Sequence, residues 1–198
     1  MKKKKWLALR APRLLLEIAT IVFGVLLGLW LSEVQSNRQD DRFVEKSVSV
    51  MKDELARNFE SLQVARKYHL ELLPDLIIAR DAERNSETVP ELNYYGFGTA
   101  ETSTAAYQTA LSAGVFAKLD PEYSAKFAEA YTRLSAVSET SDRYKLSLSL
   151  RRDDFLEIMP FAFSDLLYGE DAALQAMATL IDEDAPISWL RETEARPY

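Results

Sequence analysis

The sequence predicts an all-α protein in which one N-terminal transmembrane helix continues into an extracytoplasmic helical bundle of about four segments. Three observations predict this class: a basic N-terminus before an uncharged apolar stretch, an apolar stripe at helical spacing beyond it, and clear helix-start signals downstream. The predicted division is a cytoplasmic tail over residues 1–13, a transmembrane helix over residues 14–32 and a periplasmic domain over residues 33–198.

Length and composition narrow the class of protein further. The 198 residues suffice for one span and one modest domain, and the content of 47% hydrophobic and 28% charged residues is typical of an ordered chain. Residues 34–198 carry 18 basic and 29 acidic side chains, so nucleic acid is a disfavoured partner. Because the chain has no cysteine, disulfide frameworks, thiolate zinc sites and cysteine nucleophiles are excluded.

The predicted span covers residues Leu14 to Ser32 and is interrupted only by Glu17. Its 19 residues would measure about 28 Å as a helix, close to the hydrocarbon thickness of a bilayer. Trp6 and Trp30 fall near the two expected interfaces, where indole rings are enriched. Positive charges before the span predict a cytoplasmic N-terminus in a bacterial inner membrane; they are Lys2, Lys3, Lys4, Lys5, Arg10 and Arg13.

Two other interpretations of this segment compete with a retained anchor. A cleavable signal peptide also begins with basic residues and an apolar core, but this stretch is longer than a usual signal core. The residues from Ser32 to Ser36 do not form an A-x-A-like cleavage site. A buried core helix is disfavoured by the lysine cluster at residues 2–5. The sequence therefore favours an uncleaved anchor.

Three residues within the span are candidates for contacts between helices. Gly24 and Gly28 are four residues apart and form a small-xxx-small pair, on which a second helix can approach closely. Glu17 lies about one turn inside the cytoplasmic edge, where it can snorkel to the interface or pair with Arg13. A contact with a partner protein or a proton site is the alternative role for Glu17.

Beyond the span, apolar residues recur at steps of three and four and predict a long helix. The stripe consists of Val44, Val48, Met51, Leu55, Phe59, Leu62, Leu70, Leu73 and Ile77. Strict heptads would need Asn58 and Ala65, so a spacing nearer 3.6 favours packing within a globular bundle. No glycine or proline separates the span from the stripe, so we expect the membrane helix to continue until Pro74 kinks or ends it.

The remaining segments are predicted in order along the chain. Residues 86–101 form a loop, and a second helix over residues 102–113 ends at Gly114. Asp120 followed by Pro121 is a helix-start signal, and the helix it opens has a stripe that can pair antiparallel with the first one; its members are Tyr123, Phe127, Tyr131, Leu134, Val137, Tyr144 and Leu148. Phe127 and Leu134 are the expected core residues. A last helix covers residues 171–181, and strands are unsupported.

Two blocks of the sequence resemble an uncharacterised family of small bacterial single-span membrane proteins, described only as a domain of unknown function. The first block comprises Leu16-Glu17-Ile18, Gly24-Val25-Leu26 and the run to Asn37; the second comprises residues 107–114, Leu119-Asp120 and Tyr131. The resemblance covers about a third of the chain and departs at the exit of the span, where Trp30-Leu31-Ser32-Glu33 replaces an Asn-Trp-Asn pattern. It implies single-span topology and a helical domain, and no active-site residue. It also implies that Glu17 belongs to the Gly-Glu-Ile-like entry to the span that is typical of this family.

Residues that could carry catalysis or bind metal are sparse. His69 is the only histidine, no G-x-S-x-G motif accompanies it, and we expect a packed or surface residue. The acidic groups Asp153-Asp154 with Glu157, and Asp182-Glu183-Asp184, lack the spacing of known metal sites. Neither a cofactor nor a metal is therefore expected. The aromatic loop residues Tyr94, Tyr95 and Phe97 are interpreted as a partner surface or as a lid on the domain's own core.

Three classes of function remain open at this point. The leading hypothesis is a non-catalytic interaction protein, an accessory or scaffolding subunit of an inner-membrane complex or a self-associating anchor, whose partners are the lipid bilayer and another membrane protein. A periplasmic ligand-sensing bundle is the alternative, although residues 1–13 are too few for a cytoplasmic output domain. A hydrolase that uses paired carboxylates is third, because nothing singles out a pair of acids.

Overall fold

A computed structural model describes the backbone of residues 4–181 and the side chains of residues 19–181 other than Val34, Asn37 and Arg152. Over this range the chain forms four α-helices and two short 3₁₀ turns, and contains no strand. The helices are α1 (Lys4–Arg84), α2 (Ala105–Ser112), α3 (Pro121–Leu150) and α4 (Phe155–Ile181). The all-α prediction is therefore confirmed for the described residues.

The chain divides into two compact units, Met1–Lys46 and Ser47–Tyr198. In the first unit, the apolar residues from Ile21 to Leu31 are all exposed. This stretch of α1 is long and apolar enough to cross a membrane, and none of the residues in it is buried. The second unit contains the hydrophobic core and the other three helices.

Helix α1 continues through Pro74 to Arg84, so of the two predicted effects of this residue, a kink or an end, the end is wrong. Proline lacks the N–H that would bond to residue 70, and it is normally a helix breaker. Pro74 itself is exposed, whereas its neighbours Leu72, Leu73 and Leu76 are buried. Packing of these leucines against the bundle offsets the lost hydrogen bond.

The buried face of α1 differs from the predicted stripe. Its residues follow a heptad-like 4-3 spacing, namely Met51, Leu55, Asn58, Leu62, Ala65, His69, Leu72, Leu76 and Ala79. Asn58 and Ala65 are buried, so the argument against heptad spacing was wrong, although a bundle also uses this geometry. Leu70, predicted to face the core, is exposed, and His69 takes its place.

Helices α3 and α4 begin for different reasons. Asp120 caps α3 by accepting hydrogen bonds from the backbone N–H groups of Glu122 and Tyr123, as its sequence signal predicted. Phe127 and Leu134 of α3 are buried, as expected. Helix α4 begins at Phe155, sixteen residues before the predicted start, and includes Pro160. Its buried residues Met159, Phe163 and Leu166 fix this first half against the core.

The directions of the helices follow from contacts between them. Arg66 pairs with Asp171, and Arg84 pairs with Glu157, so α1 and α4 run antiparallel. The Tyr144 hydroxyl donates to Asp165, so α3 and α4 are also antiparallel across their short connection. Helices α1 and α3 are therefore parallel, which corrects the predicted antiparallel pairing. The chain from Arg84 to α2 has to return along the bundle before α3 can begin.

Candidate functional site

The returning segment is an extended strap over residues 93–104 that lies along α1 and is held by buried polar side chains. His69 contacts residue 97 of the strap, and Asn58 contacts residue 103. Eleven residues of helix span about 16 Å, and six extended residues span roughly 20 Å. Six extended residues are therefore long enough to cover this stretch of α1. Because the earlier residue of α1 contacts the later residue of the strap, the strap runs antiparallel to α1.

One end of the strap is fixed by Asn58 and Glu54. The Asn58 side-chain amide donates to the Ser103 carbonyl at 2.7 Å, and its oxygen accepts from the Ser103 backbone N–H at 2.8 Å. The Ser103 hydroxyl donates to Glu54 Oε2 at 2.6 Å, and the Ala106 backbone N–H donates to the same oxygen at 3.0 Å. Glu54 thus caps α2 from another helix, where Thr104 makes no capping bond with its own side chain.

The second Glu54 oxygen accepts a 2.8 Å hydrogen bond from the Tyr131 hydroxyl of α3. Burial by itself would raise the pKa of the Glu54 carboxyl, but hydrogen bonds from the backbone of Ala106 and from Ser103 and Tyr131 lower this pKa below its usual value. Burial and the bond to Glu54 raise the pKa of the Tyr131 hydroxyl. At neutral pH the carboxylate is charged and the tyrosine is its donor.

The middle of the strap is fixed by Tyr68 and His69. The Tyr68 hydroxyl donates to the Gly96 carbonyl at 2.9 Å and accepts from the Tyr95 backbone N–H at 3.0 Å. The His69 ring nitrogen Nε2 lies 2.5 Å from the Phe97 carbonyl oxygen. A carbonyl can only accept a hydrogen bond, so Nε2 carries the proton.

The other His69 nitrogen, Nδ1, lies 2.9 Å from Glu170 Oε1 of α4, and both side chains are at most 1% exposed. In the described part of the chain, Glu170 Oε2 has no hydrogen-bond partner, and His69 Nδ1 approaches Oε1 as a close charge contact whose angles are not those of a hydrogen bond. Burial raises the pKa of the Glu170 carboxyl, while His69 and then Arg66 act in the opposite direction. With Nε2 protonated, a further proton on either Nδ1 or Oε1 would remove the repulsion between the Nδ1 lone pair and the carboxylate.

The structure confirms that His69 is packed, and it adds a polar role that the sequence did not reveal. From the sequence, a histidine at a heptad position can be interpreted only as a core residue that the packing tolerates. Its partner Glu170 is 101 residues away along the chain, so the sequence around His69 does not indicate the contact. In the described part of the chain, the His69 ring contacts Glu170, Phe97, Tyr68 and Phe163, and none of these is a serine. Both ring nitrogens hold neighbouring elements together.

The predicted aromatic surface divides between the core and the solvent. Phe97 is 9% exposed and packs near Phe163, and Tyr94 packs edge-on against Phe155. These two residues fit the alternative role of a lid on the domain's own core, and the role of the loop as a partner surface stays a prediction. Tyr95, in contrast, is 82% exposed. Only this residue of the three offers its ring to solvent.

Tyr95 stands beside an open, mostly apolar groove between α1 and the strap. The groove has a volume of about 470 Å³, and its lining includes Val64, Tyr68, Tyr95, Gly98 and Ala100. Gly98 has a positive φ of 55°, and a Cβ at this position would overlap the Tyr68 ring. A glycine is therefore required where the strap passes Tyr68.

Predicted membrane contacts lie partly outside the described residues. Gly24 and Gly28 are exposed on α1 with no atom close to where a Cβ would lie, and Trp30 is also exposed. The side chains of Lys4, Lys5, Trp6, Arg10, Arg13 and Glu17, and residues Lys2 and Lys3 entirely, fall outside the described part. Their predicted roles at the membrane stay predictions.

Where the structure describes them, two of the acidic residues considered as metal ligands form ion pairs with arginines. Glu157 pairs with Arg84, and Asp154 pairs with Arg151. Among the residues whose side chains are described, no group of three or more histidine, aspartate or glutamate side chains could hold a metal ion. Residues 182–184 lie outside the described range.

Comparison with known proteins does not place the chain in a family. No family model, no curated protein and no solved structure matches it. The resemblance to the single-span family therefore stays a prediction, and the function has to be argued from the residues themselves.

Proposed function

We propose that this chain is a membrane-anchored, non-catalytic interaction protein, an accessory or scaffolding subunit of a bacterial inner-membrane complex. The observation that carries the proposal is the contrast between the two units. The large apolar residues between 21 and 31 are 50–67% exposed, whereas Glu54 and His69 of the second unit are buried and contact its other helices and the strap. An exposed apolar helix needs a bilayer or a partner helix.

The orientation follows from charge. The basic residues before the span favour an N-terminus on the cytoplasmic side, and the acidic domain after it favours the periplasm. In lipid, helices gain little from apolar burial, so close packing at small residues has to supply the attraction. Gly24 and Gly28 provide such a surface, and Glu17 lies about two turns before Gly24 on the same helix.

Crosslinking in intact membranes tests this proposal. We expect wild-type membranes to give defined crosslinked species, either with a second copy or with another membrane protein. Replacing Gly24 and Gly28 together with isoleucine, or Glu17 with glutamine, should remove these species. Val22→Ile with Leu26→Ile is the matched control, because these residues lie on the opposite side of the helix. If the crosslinks survive the glycine and Glu17 changes, the span is only a tether.

Ligand sensing is a second candidate, favoured by the groove beside Tyr95. Its volume suits a small apolar molecule, and Val64 and Tyr95, at 73% and 82% exposed, border it. A ligand that binds there would raise the unfolding temperature of the wild-type chain and not of a Val64→Asp chain. Crosslinks that depend on Tyr95 would instead assign this groove to a protein partner.

A further inference from the structure

We propose that His69 and Glu170 form a proton-operated latch that holds the strap closed while they share a proton and releases it when that proton leaves. The proposal concerns the strap alone and does not depend on the proposed function. His69 is the one described residue that contacts both α4 and the strap from α1 by its two ring nitrogens. A change in its protonation therefore reaches two elements at once.

The behaviour of the latch follows from the number of N–H groups that the His69 ring carries in each protonation state. With the shared proton present, His69 directs Nε2–H to the Phe97 carbonyl, and the second proton is held by Nδ1 or by Glu170 Oε1, which lie 2.9 Å apart. Without it, a neutral imidazole has a single N–H for two acceptors. A carboxylate attracts an N–H more strongly than a carbonyl does, so the proton moves to Nδ1. The Nε2 lone pair then faces the Phe97 carbonyl oxygen and repels it.

Charged groups around the pair determine the direction of the response. On α1, Arg66 favours the carboxylate form of Glu170; on α4, Asp171 opposes that form and is itself paired with Arg66. The strap contributes the Phe97 carbonyl, α3 places Val137 against the neighbouring Gly169, and the rings of Tyr68 and Phe163 lie beside His69. The site is therefore nearly dry, and an unshared carboxylate there is unfavourable.

The sign of the pH dependence can be worked out from Glu170. Its pKa in the folded chain is raised by burial above the ordinary carboxyl value. A raised pKa adds stability that is fully present below the unfolded value and is lost as pH rises through the folded value. The midpoint belongs to the coupled pair and not to either residue alone. The latch is therefore closed at lower pH and opens as pH rises.

Opening has a local structural consequence. Phe97 packs near Phe163, and the neighbouring clasp joins the Tyr95 backbone N–H to the Tyr68 hydroxyl. Release of the Phe97 carbonyl would weaken this hydrogen bond and expose the apolar surface under Phe97. The hydrogen bond from the Ser103 N–H to Asn58, at the other end of the strap, would remain because it does not involve His69 or Glu170.

The single histidine makes the test unambiguous. The full chain, carrying a tag without histidine and held in lipid nanodiscs, is labelled with ¹⁵N-histidine and titrated from acidic to alkaline pH. The one pair of ring signals from the protein reports which nitrogen carries the proton. Amide exchange at Tyr95 and Ser103 is measured in parallel, and each rate is divided by that of a Glu170→Gln chain at the same pH, which cancels the intrinsic pH dependence.

Glu170→Gln is an informative variant because its amide can donate to Nδ1 at every pH and leave Nε2–H on Phe97. We expect the wild-type signals to change from the Nε2–H form to the Nδ1–H tautomer as pH rises. Exchange at Tyr95 should accelerate about tenfold relative to Glu170→Gln with the same midpoint, as for the loss of one charge-assisted hydrogen bond. Exchange at Ser103 should not change.

Asp171→Asn is the matched control, since it removes a neighbouring acid that does not contact His69; its midpoint can shift, but the tautomer change should persist. A wild-type ring that keeps Nε2–H across the whole range would overturn the proposal, as would a tautomer change with constant Tyr95 exchange. Should the Glu170→Gln chain fail to fold, the wild-type tautomer and the ratio of Tyr95 to Ser103 exchange decide the question.

Discussion

Glu54 and Glu170 are both buried carboxyl groups, one on α1 and one on α4, yet their surroundings move their pKa values in opposite directions. Burial raises the pKa in both cases. Glu54 receives hydrogen bonds from Ser103, Ala106 and Tyr131, which outweigh burial and keep it charged. Glu170 faces one imidazole nitrogen, and its second oxygen has no partner among the described residues. The number of donors decides the sign.

The first prediction concerns Glu54. Glu54→Gln should lower the free energy of unfolding by about 1.5–3 kcal/mol at pH 7, the usual range for hydrogen bonds to a charged group. Because the folded pKa lies below the unfolded one, the contribution of the carboxylate is full above the ordinary value and disappears as pH falls through the folded value. Denaturant unfolding at a series of pH values should therefore show the deficit of the variant shrinking in acid.

Glu71→Gln is the control for Glu54→Gln. Its carboxylate is 67% exposed and pairs only with Lys67 at 3.9 Å, so its loss should change stability little at any pH. A Glu54→Gln deficit that stays the same from neutral to acidic pH would show that the lost contacts are not those of a charged carboxylate.

At the scale of elements, the strap determines the directions in which the helices of the second unit run. It returns the chain along α1, so that α3 can run parallel to α1 and α4 antiparallel to both. An extended segment has few hydrogen bonds of its own, and its backbone groups are satisfied here by Asn58, Tyr68 and His69. The polar residues on the buried face of α1 therefore have a structural role, because they bind the backbone of the strap.

The second prediction isolates the passage of the strap over Tyr68. Gly98→Ala and Gly114→Ala both place a methyl group on a residue with positive φ, at 55° and 71°, which costs about 1–2 kcal/mol. Gly114 has open space around it, whereas a methyl group on Gly98 would displace the Tyr68 ring and break its bond to Gly96. Gly98→Ala should therefore lower the unfolding temperature clearly more than Gly114→Ala. Equal losses would mean that the Tyr68 contact contributes nothing.

At the scale of the molecule, one chain combines an apolar helix and an acidic bundle with different surroundings. In the first unit, no described residue is buried, and the apolar side chains are exposed from Ile21 to Leu31. The second unit buries aromatic and aliphatic residues of α1, α3 and α4, such as Met51, Phe127 and Phe163. Residues 34–198 carry the excess of acids, while residues 1–13 carry only positive charge. In the proposed anchor, the lysines and arginines of residues 1–13 are the charges that would orient the span.

The third prediction concerns this orientation. A reporter that is active only outside the cytoplasm, fused after Tyr198, should be active, because basic residues before a span favour a cytoplasmic N-terminus. The chain should also remain with membranes after a carbonate wash and begin at or near Met1. A matched fusion of a reporter that works only in the cytoplasm should be silent. The opposite pattern of the two reporters would reverse the topology.

The sequence alone determined the features that depend on neighbouring residues. The apolar stretch after the lysines predicted the candidate span, the Asp120-Pro121 pair located the start of α3, and the stripe from Tyr123 predicted that Phe127 and Leu134 would be buried. Each of these signals lies within a few turns of one helix. Local propensity and periodicity are sufficient for such features.

Only the tertiary structure decided how the polar residues are used and how the helices are directed. Asn58 meets Ser103 across 45 residues, and His69 meets Glu170 across 101, so no local window contains either pair. The same holds for Pro74 and Pro160, whose cost within a helix is offset by packing against residues distant in the chain. A buried polar side chain becomes favourable only when its partner is in place, and that partner is supplied by the fold.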